Sequence, residues 1–198
     1  MNLLLLCILG YLIGSIPTGF LLTKFFGGVD VRHVGSHSTG ATNVLRSGHK
    51  ILALITLLVD GLKGMVLAFV TKEMLGSSYY LVIAFCCLIG HVFPIWLGFK
   101  GGKGAATSAG IFVVVSPLFA SISIIVWAVM ARVVKISSLA SIALTLSFAS
   151  LCSYGYIFKD TDIDVFLFSM IVLAFLLLTH FRNIKRMIHK SEIPVNVK

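Results

Sequence analysis

A glycine-rich segment at residues 99–107, F-K-G-G-K-G-A-A-T, has the residue types of a phosphate-binding loop. Gly101, Gly102 and Gly104 would allow backbone N–H groups to approach an anion, and Lys103 adds a cation where a helix is predicted to begin. The segment is not a Walker A loop, because Lys103 is followed by glycine rather than by Ser or Thr. It therefore predicts phosphate binding, but not ATP binding.

A second segment, residues 35–46, reads G-S-H-S-T-G-A-T-N-V-L-R. Its candidate binding residues are Ser36, Gly40, Thr42, Asn43 and Arg46. Hydroxyl, amide and backbone groups could form a donor-rich pocket here, in which arginine would bind an oxyanion through two hydrogen bonds. Taken alone, the segment is equally well explained as a polar connecting loop.

Two further pairs of polar residues stand three positions apart, so the members of each pair share a helix face. His180 and Asn183 lie at the end of the last apolar run and could point into a shared cavity with the two loops described above. A histidine at a membrane boundary is, however, often only an interfacial polar residue. Asp60 and Lys63 lie within an apolar run, where charge is expensive. They are either a structural ion pair or contacts to a substrate.

Several common catalytic and metal-binding patterns are missing from the sequence. No histidine has an aspartate five residues later, and there is no G-x-S-x-G nucleophile elbow, H-E-x-x-H motif or cluster of acidic residues. The four cysteines, which lie in apolar runs without C-x-x-C spacing, are Cys7, Cys86, Cys87 and Cys152. We expect neither a metal, nor a cofactor, nor a disulfide framework.

The composition places these segments in a membrane protein. Of 198 residues, 58% are hydrophobic and 12% are charged, and the mean hydropathy is +1.04. Too few charges are present to coat a soluble domain, which excludes soluble, secreted and disordered classes. The net charge of +9 comes mainly from short gaps between apolar runs, which indicates membrane topology rather than nucleic-acid binding.

Six apolar runs are visible, at about residues 2–23, 51–71, 79–99, 105–134, 136–158 and 162–180. The fourth is anomalously long for a span of roughly 20 residues, and Pro117 within it favours a new helix start. If it divides into a short helix and a full one, the basic clusters near Lys24, Lys100 and Arg182 all reach the cytoplasm.

This arrangement predicts an all-α polytopic protein with seven transmembrane helices, one of them short. The N-terminus would lie outside and the C-terminus in the cytoplasm. No repeat or linker divides the chain, so residues 1–198 are expected to form one domain. In the first run, Gly10 and Gly14 form a G-x-x-x-G pattern that predicts close helix packing.

Together the motifs resemble those of the bacterial acyl-phosphate:glycerol-3-phosphate acyltransferase family, over essentially the whole chain. Residues 35–46 match its G-S-G-N-x-G-A-T-N-x-x-R motif, with His37 and Ser38 as departures. Residues 99–104 match F-K-G-G-K-G without change, after a G-H-x-F-P at 90–94. Residues 180–192 align with H-R-x-N-I-x-R-L-L-x-G-x-E, where Phe181 replaces Arg and Lys190 replaces Gly.

The resemblance implies a bacterial inner-membrane enzyme whose active site faces the cytoplasm. It would transfer an acyl group from acyl phosphate to the sn-1 hydroxyl of glycerol 3-phosphate, giving lysophosphatidic acid and phosphate, without a cofactor and without nucleic acid. By the same resemblance, the essential residues would be Ser36, Arg46, Lys103, His180 and Asn183. The substrate contacts would be Gly40, Thr42, Asn43, Gly101, Gly102, Gly104 and, more weakly, Ser141.

The proton acceptor stays open between His180 and a phosphate oxygen of the donor. Direct transfer is favoured over an acyl-enzyme on Ser36, because an acyl phosphate is already activated. Two other functions remain as alternatives. A carrier or channel for an organic phosphate would also place basic groups beside a broken helix. A CoA-dependent acyltransferase is a nearer alternative, although the sequence has no evident nucleotide site.

Overall fold

The computed structural model describes residues 2–76, 79–159 and 161–192, and all regular structure in these ranges is helical. The helices are α1 (Leu3–Gly14), α2 (Thr18–Phe26), α3 (Ala41–Arg46), α4 (Lys50–Leu75), α5 (Tyr79–Val92), α6 (Ala105–Val115), α7 (Pro117–Val133), α8 (Ser137–Phe158), α9 (Ile163–Thr179) and α10 (Phe181–Ile188). Single 3-10 turns occupy Val31–His33 and Ile95–Leu97. The predicted all-α class is confirmed for these residues.

The division of the fourth apolar run is also confirmed. Helix α6 ends at Val115, Ser116 is extended, and Pro117 occupies the first turn of α7. Proline fits there because its missing N–H has no partner in a first helical turn, whereas inside a continuous helix it would remove a hydrogen bond. The short α6 thus begins beside the glycine-rich segment and ends well before the full thickness of a bilayer.

Two apolar runs differ from their predicted continuous form, and each difference falls at a proline. The first run is interrupted between Gly14 and Thr18, where Pro17 precedes α2. The third run leaves helical geometry at Val92, two residues before Pro94. Proline disfavours helical geometry in the residue before it, so both helices stop early.

Four segments are long and apolar enough to cross a membrane, by length and composition, among the described residues. They are Leu3–Phe26, Lys50–Leu75, Tyr79–Leu97 and Ser137–Phe158. A fifth would be α9 with α10, which are bent by 60° at their junction, while α6 and α7 are shorter apolar helices. The protein is therefore an all-helical membrane protein with four to five candidate spans, and the seven-helix count stays a prediction.

Glycines allow the helices that carry the site to approach closely. A Cβ at Gly110 of α6 would meet the backbone oxygen of Gly61 in α4, and a Cβ at Gly64 would meet the backbone oxygen of Thr107. The predicted packing role of Gly10 and Gly14 is confirmed, since both lie against the α5 backbone. These close contacts fix how the helices pack next to the first turn of α6.

Candidate active site

A cavity of about 390 Å³ opens between α4, α6, α7 and α8, beside the loop before α3 and the start of α10. Its polar lining includes Ser36, Ser38, Thr42, Asn43, Arg46, Asp60, His91, Lys103, Ser137, Ser138, Ser141, His180, Asn183 and Glu192. The remainder is mainly apolar, with Leu57, Leu58, Leu62, Met65, Val113, Ile124, Trp127 and Leu144. The cavity therefore has one polar end and one apolar arm. Its volume is within the range of small-molecule sites.

Lys103 supplies a cation at the polar end. Its Nζ donates a hydrogen bond to Asn183 Oδ1 at 2.5 Å, and its carbonyl accepts one from Thr179 Oγ1 at 3.0 Å. Burial lowers the pKa of the Lys103 ammonium to about 8, with Arg186 and Arg46 adding to this shift and Glu192 opposing it. The ammonium is thus held near three other charged groups, in a position where an anion would stabilise its charged form.

Glu192 connects the elements that surround this lysine. Its carboxylate accepts hydrogen bonds from Ser138 Oγ at 2.9 Å, from Asn183 Nδ2 at 2.6 Å and from Arg186 Nε at 2.8 Å. Burial opposes ionisation, but these three bonds outweigh it, so the pKa of Glu192 lies below its ordinary value. Glu192 was not among the predicted site residues, although its place at the end of the third motif was a signal for it.

Arg46 brings a second basic side chain from the end of α3. Burial lowers the pKa of its guanidinium from the ordinary value, while Glu192 opposes that shift and Arg186 adds to it. Arg46 and Lys103 therefore interact with the same two charged residues, Glu192 and Arg186, although they come from different segments of the chain. Its aliphatic stem packs under Gly35, where an added Cβ would lie 3.2 Å from Arg46 Cδ.

His180 lies at the junction of α9 and α10, with 2% of its surface exposed. Its Nδ1 is 2.8 Å from the carbonyl oxygen of Leu176. Because a carbonyl only accepts, Nδ1 carries the proton of this bond, and in the neutral ring Nε2 is the acceptor. The structure places both His180 and Asn183 on the cavity wall, as the spacing predicts.

Asn43 braces the first loop from within. Its Nδ2 donates to the carbonyl oxygens of Val31, Val34 and Ser38 at 2.7–3.0 Å, and its Oδ1 accepts the N–H of Ser36 at 2.9 Å. Because both the nitrogen and the oxygen of this amide already form hydrogen bonds within the loop, few remain for a substrate. These bonds hold the loop in position around Ser36, and the substrate contact expected of Asn43 stays a prediction.

Three other residues that are expected to contact the substrate, Gly40, Thr42 and Ser141, line the cavity from α8 and from the segment that includes α3. Thr42 Oγ1 lies 2.7 Å from Ser137 Oγ and so joins α3 to the first turn of α8. Ser141, one turn later in α8, donates to the Ser137 carbonyl at 2.9 Å and lines the cavity. Gly40 also lines the cavity, directly before α3.

Gly101 and Gly102 differ from the expected phosphate cradle. Their N–H groups donate to the carbonyls of Val92 and His91 at 3.0 and 3.1 Å, and neither residue lines the cavity. A Cβ at Gly102 would collide with the His91 ring. These glycines permit close contact with the end of α5, because backbone packing there leaves no room for a side chain. Of the three glycines in this segment, Gly104, with φ at +92°, is the one that lines the cavity.

The departures noted above, at His37, Ser38, Phe181 and Lys190, have different local surroundings. His37 and Lys190 stand where the motifs have glycine, and both adopt left-handed φ, +58° and +55°. His37 Nδ1 contacts the Arg32 carbonyl at 2.8 Å, which helps to hold this conformation. Ser38 Oγ accepts the N–H of Gly40 at 3.3 Å, as a short polar side chain does in a turn. Phe181 is 66% exposed.

A second charged group borders the cavity within the helices. Asp60 Oδ1 lies 2.8 Å from Lys63 Nζ and 3.6 Å from His91 Nδ1, and Lys63 Nζ also donates to the Ile16 carbonyl at 3.1 Å. All three side chains are at most 7% exposed. Asp60 and Lys63 therefore form the ion pair considered above. The involvement of His91 was not predicted, because it comes from a different helix.

These helices and this cavity define an integral membrane protein with a cation-rich pocket joined to an apolar arm. The family model described as glycerol-3-phosphate acyltransferase matches residues 4–190. The chain belongs to the glycerol-3-phosphate acyltransferase family.

Individual relatives are similar over all or about two thirds of their length. The glycerol-3-phosphate acyltransferase of Pelagibacter ubique is 40% identical over 197 residues, covering 100% of each chain. That of Allorhizobium ampelinum is 47% identical over 142 residues, covering 70% of this chain and 68% of its own. The crystal structure of PlsY, an integral membrane glycerol 3-phosphate acyltransferase, in its glycerol 3-phosphate form has a TM-score of 0.89 and 34% identity, covering 97% of this chain and 94% of that chain. Its lysophosphatidic acid form has a TM-score of 0.86 and 32% identity, covering 98% and 96%.

Proposed function

We propose that this chain transfers a fatty acyl group from an acyl phosphate to the sn-1 hydroxyl of glycerol 3-phosphate. The products are 1-acyl-sn-glycerol 3-phosphate and inorganic phosphate. The observation that carries this proposal is the division of the cavity into a cation-rich end and an apolar arm. Such a division suits a donor with a phosphate head and an acyl tail, together with a small anionic acceptor. The PlsY structures, described as glycerol 3-phosphate and lysophosphatidic acid forms, support the acceptor and the product of this reaction.

The reaction needs no activating cofactor, because an acyl phosphate is a mixed anhydride. The sn-1 oxygen attacks the carbonyl carbon, the bond between that carbon and the phosphate oxygen breaks, and inorganic phosphate leaves with the electron pair. The enzyme must align the two anions with the alcohol and stabilise the oxyanion that develops. Arg46 and Lys103 supply positive charge for this, and Gly104 with Ser36 lies close to the same space.

The proton released by the alcohol has two acceptors in this scheme. His180 Nε2 is the acceptor nitrogen of the ring when Nδ1 donates to Leu176, and a phosphate oxygen of the donor is the other candidate. We favour direct transfer, in which His180 orients glycerol 3-phosphate, over an acyl-enzyme on Ser36. Asn183 orients the Lys103 ammonium through its Oδ1.

We further propose that residues 1–198 act as one domain with seven membrane crossings. In this arrangement the N-terminus lies outside, and the C-terminus and the polar end of the cavity face the cytoplasm of a bacterial inner membrane. The support is the charge pattern, since the basic segment around Arg186 lies on the same side as Lys100 only when α6 and α7 are separate crossings.

The activity is tested with purified protein in detergent, where transport between compartments has no meaning. Palmitoyl phosphate and glycerol 3-phosphate should be consumed together, and phosphate should appear one for one with lysophosphatidic acid. Arg46→Gln should abolish turnover without unfolding the protein. Absence of lysophosphatidic acid, with uptake of glycerol 3-phosphate by reconstituted vesicles, would favour the carrier. Transfer from acyl-CoA but not from acyl phosphate would favour the CoA-dependent enzyme.

The topology is tested with single cysteines in an otherwise cysteine-free protein. A cysteine at Lys100 or Arg186 should react with an impermeant thiol reagent only after the cytoplasmic face is opened. A cysteine at Asp162 should react in intact cells. Labelling of position 186 from outside would remove one crossing from the arrangement.

A further inference from the structure

A second cavity, also of about 390 Å³, lies next to the apolar arm of the first along α4 and α6. It is lined by Met65, Val66, Phe69, Lys72, Glu73, Val113, Val114 and Pro117. Met65 and Val113 line both cavities, one from α4 and the other from α6. These two side chains therefore stand at the boundary between the two spaces.

Together the two cavities form a track that starts at the polar end and follows α6. The floor of the first part is made of small residues, Gly61, Ala106, Ala109 and Gly110, because α4 and α6 cross there with almost no side chain between them. Beyond Val113 the track continues between Phe69 of α4 and Pro117. The catalytic candidates lie at the start of the track and its middle is apolar, so this part of the track suits an amphipathic ligand with its polar head at the start.

The length of the track can be compared with that of an acyl chain. From Ala105, next to Lys103, to Val113 the helix rises about 12 Å, and from Ala105 to Pro117 the same rise would give about 18 Å. A membrane acyl chain spans one leaflet, which is about 15 Å if it is half of a ~30 Å hydrocarbon core. Along α6, the part of the track in the first cavity is shorter than such a chain, whereas the two cavities together are long enough.

We propose that Met65 and Val113 form a selectivity gate for the acyl chain of the donor, and that chains of membrane length pass between them into the second cavity. The inference rests on the acyl-phosphate function proposed above and extends it to the residues that set chain length. Short chains end before the gate and do not contact it. Long chains depend on the space between these two side chains.

The far end of the track is polar, which limits how far a chain can extend. Lys72 Nζ donates a hydrogen bond to the Val114 carbonyl at 3.1 Å, and Glu73 lies beside it in the lining. An acyl terminus gains nothing by displacing a charged group from its hydrogen bond. We therefore expect acceptance to decline for chains longer than the combined track.

The test compares octanoyl, dodecanoyl, hexadecanoyl and octadecanoyl phosphate as donors, with glycerol 3-phosphate as acceptor, for the wild type and gate variants. Val113→Phe and Met65→Phe narrow the gate, and Met65→Ala widens it. Met74 provides matched controls, Met74→Phe and Met74→Ala, because it is exposed on α4 and lines neither cavity. Two narrowing variants on different helices guard against the failure of one of them to fold.

Narrowing the gate should lower kcat/KM for hexadecanoyl phosphate about tenfold relative to octanoyl phosphate, the size of effect that one misfitting group has in an apolar pocket. Met65→Ala should shift the preference towards the longer donors, and both Met74 variants should keep the wild-type profile. Unchanged chain-length profiles in both narrowing variants, with active wild-type protein, would overturn the gate alone. Failure of the wild type to use any of the four donors would overturn the proposed function and the gate together.

Discussion

Two groups of charged side chains border the same cavity, and they are built in different ways. Asp60 and Lys63 come from one turn of α4, and both are almost completely buried. Lys103 and Asn183 come from segments 80 residues apart and meet at the polar end of the cavity. The first group is enclosed by neighbouring helices, and the second borders the space where a ligand would bind.

The two lysines differ in how their N–H groups are used. Lys63 Nζ donates both to Asp60, its ion-pair partner, and to the Ile16 carbonyl. Within the part of the chain that the structure describes, Lys103 Nζ donates one hydrogen bond, to the neutral amide of Asn183. A lysine with two remaining N–H groups and no direct carboxylate partner is suited to an anionic ligand. The comparison thus supports the proposed binding function of Lys103 and leads us to expect that the Asp60 group mainly stabilises the fold.

The largest expected effect is on stability. Asp60→Asn leaves the buried Lys63 charge without its partner and should destabilise the protein by about 3–5 kcal/mol. Thermal unfolding in detergent measures this change, and Asp164→Asn, at an exposed position on α9, is the matched control. Asp60→Asn combined with Lys63→Met should recover part of the loss. Wild-type thermal stability of Asp60→Asn together with lost turnover would instead place Asp60 among the substrate contacts.

Lys103→Met should chiefly affect catalysis. Removal of one positive donor at a developing oxyanion costs about 3 to 4 kcal/mol, so kcat/KM should fall by roughly 10²–10³-fold. Lys100→Met is the matched control, because Lys100 is exposed, lies in the same glycine-rich segment and does not line the cavity. A similar loss in both variants would mean that general surface charge, rather than the position of Lys103, supports the reaction.

Glu192→Gln should have a smaller effect on the same site. The change keeps the shape of the side chain but removes the negative charge to which Ser138, Asn183 and Arg186 donate hydrogen bonds. A hydrogen bond to a charged group contributes about 1.5–3 kcal/mol. We expect kcat/KM to fall roughly ten- to a hundredfold, mainly through KM, because Asn183 no longer holds the Lys103 ammonium in position. A fall in thermal stability with unchanged KM would show that Glu192 stabilises the fold and does not support substrate binding.

The smallest effect is the pH dependence of kcat/KM. The free enzyme holds Lys103 with a pKa of about 8, so its charge is present below that pH and is lost above it. Binding of an anion should therefore weaken as the pH rises through 8, and kcat/KM should decline there. Lys103→Arg keeps its charge throughout this range, so any activity it retains should not show this decline. The same decline in the arginine variant would assign the titration to another group.

The two groups were not equally predictable from the sequence. Asp60 and Lys63 are three residues apart in an apolar run, so helical geometry alone predicts their contact. Lys103 and Asn183 could be placed together only through the motif resemblance, and the function of Glu192 did not follow from spacing at all. Local geometry predicts contacts within a helix turn, because the backbone fixes them, but it carries no information about side chains 80 residues apart.

The sequence by itself determined the helical class, the membrane setting, the new helix start at Pro117 and the segments that carry the polar residues. Each follows from local properties: the hydropathy of a run, the missing N–H of proline and the charge of short connections. Only the tertiary structure decided that Asn43 braces a loop, that Gly101 and Gly102 pack against α5, and that His91 joins Asp60. The physical reason is that these functions depend on which backbone carbonyls and side chains approach from other helices, and close packing, rather than local sequence, selects those neighbours.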